Sequence, residues 1–137
     1  MPVPKRPGPA AAASRRGFAG DVVAALRDGK TLAIRAGAGA HRLIGIWVVV
    51  VDDRAFVRSW SLKPRSWWRT FQQDPRGVIR VAGRTIAVRA VRTRSERLKR
   101  AVDRAYLAKY GTGGSRRFAL DLGKPRSKAT TTELVPL

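Results

Sequence analysis

The longest apolar stretch of the chain, residues 43–51, is nine residues long and ends in four consecutive valines, Val48 to Val51. A membrane-crossing helix needs about twice that length. The β-branched content favours a strand, and the unbroken apolar run reads as one covered on both faces. The chain is therefore expected to be built on short strands. Leu32 and Ile34 alternate with Thr31, Ala33 and Arg35, the pattern of a half-buried strand. Asp52-Asp53 turns the apolar run into a partner at 55–58, a hairpin. Residues 78–81 and 85–91 flank Ala82-Gly83, where glycine supplies the positive φ of a two-residue turn. Residues 129–135, closed by Pro136, make a sixth strand.

Helical signals are fewer. Asp21 can cap a short helix carrying Val22, Val23 and Leu26, with Gly29 as its stop. Ser66 can cap a second one holding Trp67, Trp68 and Phe71, which must end before Pro75. The clearest helix is 94–110. Thr93 and Glu96 form a T-x-x-E capping box, and Leu98, Ala101, Val102, Ala105 and Tyr106 lie on one stripe, with Gly111 beyond. The Gly/Arg/Lys-rich stretch that follows reads as a loop. The order of elements predicts an α+β fold, a small, mostly antiparallel six-stranded barrel with flanking helices. Residues 1–17, rich in proline, alanine and basic side chains, read as a disordered tail, and residues 18–137 as one domain.

Composition excludes much chemistry. There is no cysteine, so disulfides, thiolate metal sites and cysteine nucleophiles are absent, and the single histidine, His41, rules out a multi-histidine metal cage. Twenty-nine Lys and Arg against nine Asp and Glu give a net charge of +20, a field that draws anions toward the chain. Nucleic acid, anionic lipid or a phosphorylated small molecule would all benefit. The excess of arginine over lysine beside abundant Ala, Gly and Val also fits a coding bias, so charge alone selects no partner. With no apolar span and no secretory leader, the expected setting is the cytoplasm, without a membrane partner.

Several motifs together resemble a known bacterial family. Phe56-Val57-Arg58-Ser59, Trp67-Trp68-Arg69, Gly77 through Arg84 (G-V-I-R-V-A-G-R), the helix end Ala105-Tyr106-x-x-Lys109-Tyr110-Gly111 and the terminal Ala129-Thr130-Thr131-Thr132-x-Leu134-Val135-Pro136 are similar to the domain of unknown function 2255 (DUF2255) family, within the flavin-binding split-barrel superfamily. The spacing of Trp67 and Pro75 before Gly83-Arg84 is also similar to the deazaflavin-dependent nitroreductases, although Gly39-Ala40-His41-Arg42 stands where those enzymes carry a G-R-K-S-G turn. The resemblance implies a split β-barrel, a flavin mononucleotide or deazaflavin cofactor, an oxidoreductase class of reaction, and a homodimer that completes its pocket across a two-fold interface.

The candidate site begins at Arg58-Ser59-x-Ser61-x-Lys63, where a guanidinium fork, hydroxyls and an ammonium converge at a strand end, a mixture suited to a phosphate monoester. Because Arg58 alternates with Val57, it should point away from the core toward the next element, the tryptophan helix. Burial of tryptophan against the barrel is its ordinary use, but Trp67 or Trp68 would instead offer a planar ring surface there. The resemblance adds Arg35, His41 and Arg42, which flank the glycine turn over the cofactor tail. Two alternatives stay open: a basic small barrel that binds single-stranded or duplex nucleic acid, and a structural module without cofactor; as a mere counter-ion, nucleic acid would bind weakly and without sequence preference.

Overall fold

The structure, a computed structural model, describes residues 17–38 and 42–137. Residues 1–16 of the expected tail, and His41, lie outside them. Helix α1 (Gly20–Asp28) leads into β1 (Leu32–Ala36), β2 (Ile44–Ile46), β3 (Val49–Val51) and β4 (Arg54–Val57). Helix α2 (Trp67–Gln73), β5 (Arg76–Val81) and β6 (Arg84–Arg92) follow. The chain then forms α3 (Glu96–Tyr110), a 3-10 turn at Gly113–Ser115, α4 (Arg116–Leu122), α5 (Pro125–Lys128) and β7 (Thr132–Pro136). Every strand pairing is antiparallel, in the order β2-β1-β5-β6-β7-β4-β3.

This order requires a curled sheet. Strands β2 and β3 occupy opposite edges, yet only Trp47 and Val48 separate them in sequence. Laid flat, seven strands would hold those edges about 29 Å apart, whereas the three steps from Ile46 to Val49 reach about 11 Å at most. The sheet therefore closes into a half-barrel. The sheet has seven strands, not six, because the apolar run 43–51 pairs with β1 through its first half and with β4 through its second. Nor is that run covered throughout, since Leu43 and Ile44 are exposed.

Other expectations shift in detail. Helix α3 is capped by Ser95, whose Oγ accepts from the Leu98 amide at 3.2 Å. Thr93 is drawn into the sheet instead, its amide donating to the Thr131 carbonyl. Asp21 sits inside the first turn of α1, with Ala19 as the cap residue, and pairs with Arg84 at 3.0 Å. The stretch read as a loop after Gly111 contains α4 and α5, and β7 starts at Thr132, three residues later than expected. Both two-residue turns hold, with positive φ at Asp52, Asp53, Ala82 and Gly83.

Two cores result. Inside the barrel, Leu32, Ile34, Val57, Ile79, Val88 and Leu134 pack with Leu26 of α1 and Phe71 of α2. Outside it, Val49 and Phe56 pack beneath Leu98, Val102 and Tyr106 of α3 and Leu122 of α4. On the sheet's outer face Arg54 forks onto Glu133 with contacts of 3.0 and 2.7 Å. No helix among the described residues is long and apolar enough to cross a membrane.

The C-terminal end of α3 holds the crossing from β2 to β3. The Tyr110 hydroxyl accepts from the Val48 amide at 3.3 Å and donates to the Lys30 carbonyl at 2.6 Å. Lys109 donates to the Val48 and Leu26 carbonyls at 2.8 and 2.9 Å. The Tyr106 hydroxyl donates to the Trp47 carbonyl, and the Trp47 and Tyr110 rings stack at 4.0 Å. Burial pushes the Tyr110 phenol up to about 12 and the Tyr106 phenol higher still, and it pushes the Lys109 ammonium below its ordinary value.

These shifts have opposite signs in alkali. Between its lowered value and about 10.5, unfolded Lys109 binds more proton than folded, so stability rises with pH there. Above pH 10 the unfolded tyrosines ionise while the folded ones keep their protons, and stability falls by up to about 1.4 kcal/mol per pH unit for each. Urea midpoints measured from pH 9 to 12 should turn downward above pH 10, and Tyr110→Phe should make that decline shallower. An unchanged slope in the variant would contradict the assignment.

Candidate functional site

Three local features build a cleft at one end of the barrel. Ser66 caps α2, its Oγ accepting from the Arg69 amide at 3.3 Å. This cap places Trp67 and Thr70, three residues apart, on the same side of the helix. Gly37, with φ of 75°, turns the chain out of β1 while its amide donates to the Arg76 carbonyl at 2.7 Å. Gly77 lets the layers approach, because a Cβ there would stand 2.5 Å from the Arg35 carbonyl oxygen and 2.9 Å from the Phe71 ring.

The cleft between them encloses about 170 Å³. Ile34, Ala36 and Ile44 form its apolar part, Trp67 and Thr70 one wall, and Arg35, Arg42 and Arg65 its charged rim. No carboxylate lines it among the described residues. The Arg35 Nε is buried and has no hydrogen-bond partner among the described residues. A buried donor left unmet costs about 1–3 kcal/mol, which an arriving anion would relieve. Three guanidiniums beside a tryptophan suit a ligand with a phosphate or carboxylate at one end and a flat ring at the other. The Trp67 ring is half-buried, set edge-on to Phe71 at 6.0 Å between centroids.

The expected site residues thus divide. Arg35, Arg42 and Trp67 meet in the cleft. Arg58, Ser59, Lys63 and Trp68 do not. Arg58 does point opposite to Val57, but the element covering that side is α3, not the tryptophan helix. Its side chain is fully buried. Nε donates to Thr131 Oγ1 at 2.8 Å, and Nη1 donates to Asp103 Oδ1 and to the Leu122 carbonyl. Nη2 donates to the Lys99 carbonyl at 2.9 Å. Asp103 also pairs with Lys128 at 2.8 Å, and the guanidinium lies 5.9 Å from the Tyr106 ring centre. Arg58 is a fastener tying β4 to α3, α4 and the strand end at Thr131.

Ser59 is likewise turned inward, its amide donating to Thr130 Oγ1 and its hydroxyl to the Ser61 carbonyl. Lys63 is exposed. Trp68 stacks against Arg69 at 4.9 Å and borders a separate shallow groove with Phe71, Gln72 and Arg92. Sequence reasoning missed Arg65. Its signal was position, immediately before the Ser66 cap and so beside the first turn that presents Trp67.

Comparison with known proteins places the chain. No curated protein matches it. Among solved structures, a conserved hypothetical protein from Mycobacterium tuberculosis superposes with a TM-score of 0.54 at 13% identity, over 90% of this chain and 82% of the other. A protein from Mesorhizobium loti described as FAD-binding superposes with a TM-score of 0.51 at 16% identity, over 90% and 91% of the two chains. Both share the fold, a curled antiparallel half-barrel with helices against it. Residues 22–134 match the family model described as an uncharacterized protein conserved in bacteria, and the chain belongs to this family, DUF2255.

Proposed function

We propose that this half-barrel binds a flavin-type or other phosphorylated heteroaromatic cofactor, with its anionic group held among Arg35, Arg42 and Arg65 and its ring system directed along Trp67. The observation that carries the reading is the buried Arg35 Nε, without a partner among the described residues, in a cleft where those residues present three guanidiniums and no carboxylate. The FAD-binding description of one protein with this fold points the same way. A flavin, when bound, supplies the electron-transfer chemistry itself. The chain supplies charge, orientation and an apolar floor.

The cleft would hold roughly five or six waters, room for a phosphate and part of a ring. Complete pockets for ligands of this class run to about 300–1,000 Å³. The remainder of the site is therefore proposed to come from a second copy of the chain, as a homodimer.

Titration of flavin mononucleotide, flavin adenine dinucleotide and a deazaflavin against tryptophan emission tests the reading. At least one should bind, and Arg35→Ala should weaken it by about 1.5–3 kcal/mol, the usual value of a charge-assisted hydrogen bond. Equal affinity in wild type and variant, or binding of none of the three, would remove the cleft from consideration.

A further inference from the structure

Helix α3 carries a second basic feature, remote in sequence from the cleft. Its buried residues Leu98, Val102, Tyr106 and Tyr110 define one face. At 100° per residue, Arg97, Arg100 and Arg104 fall within about 60° of one another on the opposite, solvent-facing crest, and all three are exposed. The two acids of the helix are turned aside and used locally. Glu96 pairs with Lys99 at 3.3 Å, and Asp103 with Arg58 and Lys128. None of the ion pairs among the described residues involves the three crest arginines.

Such an arrangement is electrostatically unfavourable on its own. Like charges three and four residues apart repel, and Arg97 lies in the first turn, where the helix dipole disfavours a cation. A ligand carrying several evenly spaced negative charges would relieve both effects. From Arg97 to Arg104 the helix rises about 10.5 Å. One strand of duplex DNA presents a phosphate about every 3.4 Å along its axis, so the crest matches about three phosphates.

We infer that the crest formed by Arg97, Arg100 and Arg104 docks on the phosphate backbone of duplex DNA, without sequence preference. Two alternatives fit less well. A helix lying on a membrane must offer an apolar face to lipid, and the apolar face of α3 is consumed by the barrel. A single strand is held chiefly by stacking on exposed rings, and this crest has none: the exposed Trp60 and Phe118 lie on other segments.

The test is fluorescence anisotropy of a labelled 20-base-pair duplex against the full chain, from 50 to 300 mM salt. Wild type should bind with Kd on the order of 10⁻⁴–10⁻⁶ M near physiological salt. The triple variant Arg97→Gln/Arg100→Gln/Arg104→Gln should lower the salt slope by about 2.7, and each single variant by about 0.9. Melting temperatures are expected to stay near wild type, since these exposed side chains enter no side-chain hydrogen bond or ion pair among the described residues. A charge-matched control, Arg76→Gln/Arg80→Gln/Arg89→Gln on the exposed positions of β5 and β6, should change the slope by less than one. Equal loss in the control would make the effect one of bulk charge and overturn the inference. So would absence of duplex binding at 50 mM salt, or tighter binding to a matched single strand or to anionic phosphatidylserine vesicles.

Discussion

Replacing Arg58 by alanine should destabilise the fold by about 3–5 kcal/mol, the usual loss when one partner of a buried ion pair is removed. The side chain is wholly buried and serves four acceptors on three segments: Thr131, the Leu122 carbonyl, the Lys99 carbonyl and Asp103. Deleting the fork removes a donor from two helix carbonyls and a hydroxyl. It also leaves Asp103 with Lys128 as its other cation. Arg58→Lys should recover only part of the loss, because a single ammonium cannot reach the same divergent acceptors. Urea unfolding of the three proteins measures this. A loss below about 1 kcal/mol for the alanine variant would show that the network is not a fastener, and would return Arg58 to the list of ligand-binding candidates.

Tyr106→Ala should be comparably severe, about 3–5 kcal/mol as for other large aromatic deletions. Tyr106 is among the largest fully buried side chains, and its ring lies 5.9 Å from the Arg58 guanidinium and 6.0 Å from the Tyr110 ring. Tyr106→Phe separates packing from polarity. It removes only a 3.3 Å hydrogen bond to the Trp47 carbonyl, so its expected effect is about 1 kcal/mol. Near-equal losses in the two variants would mean that the crossing between β2 and β3 depends on that hydroxyl more than on the ring.

Much of the architecture was legible because local rules and tertiary packing agree. The two-residue turns at Asp52-Asp53 and Ala82-Gly83, the Ser66 cap and the stripe on α3 all follow from propensity and period. The errors arose where distant segments decide. The run 43–51 carries no internal mark of its break, since Trp47 and Val48 are as strand-like as their neighbours. The break is imposed by Tyr106, Lys109 and Tyr110, which are 59 to 62 residues away. Helices α4 and α5 were hidden by the glycines that flank them and by their own basic residues, yet they bury Ala119, Leu122 and Ser127.

The site was half legible for a similar reason. Strand alternation places Arg58 opposite Val57, and that much holds. Which element covers that side is a matter of topology, and α3 takes the place expected for the tryptophan helix. The chemistry of Arg58 was thus assigned to the wrong neighbour. Arg35 and Arg42 came from resemblance, and the structure adds Arg65 beside Trp67.

The proposed recognition is of the anionic end of a ring-bearing ligand by the guanidinium rim of the cleft. Thermal unfolding with flavin mononucleotide and with riboflavin, its counterpart without phosphate, isolates that end. At a hundredfold excess over Kd, a ligand bound only by the folded state adds about 2.7 kcal/mol, or roughly 10 °C for a domain of this size. Such a shift is expected with flavin mononucleotide, a much smaller one with riboflavin, and loss of the difference in Arg35→Ala. Equal shifts from the two ligands, or a full shift retained in Arg35→Ala, would contradict it.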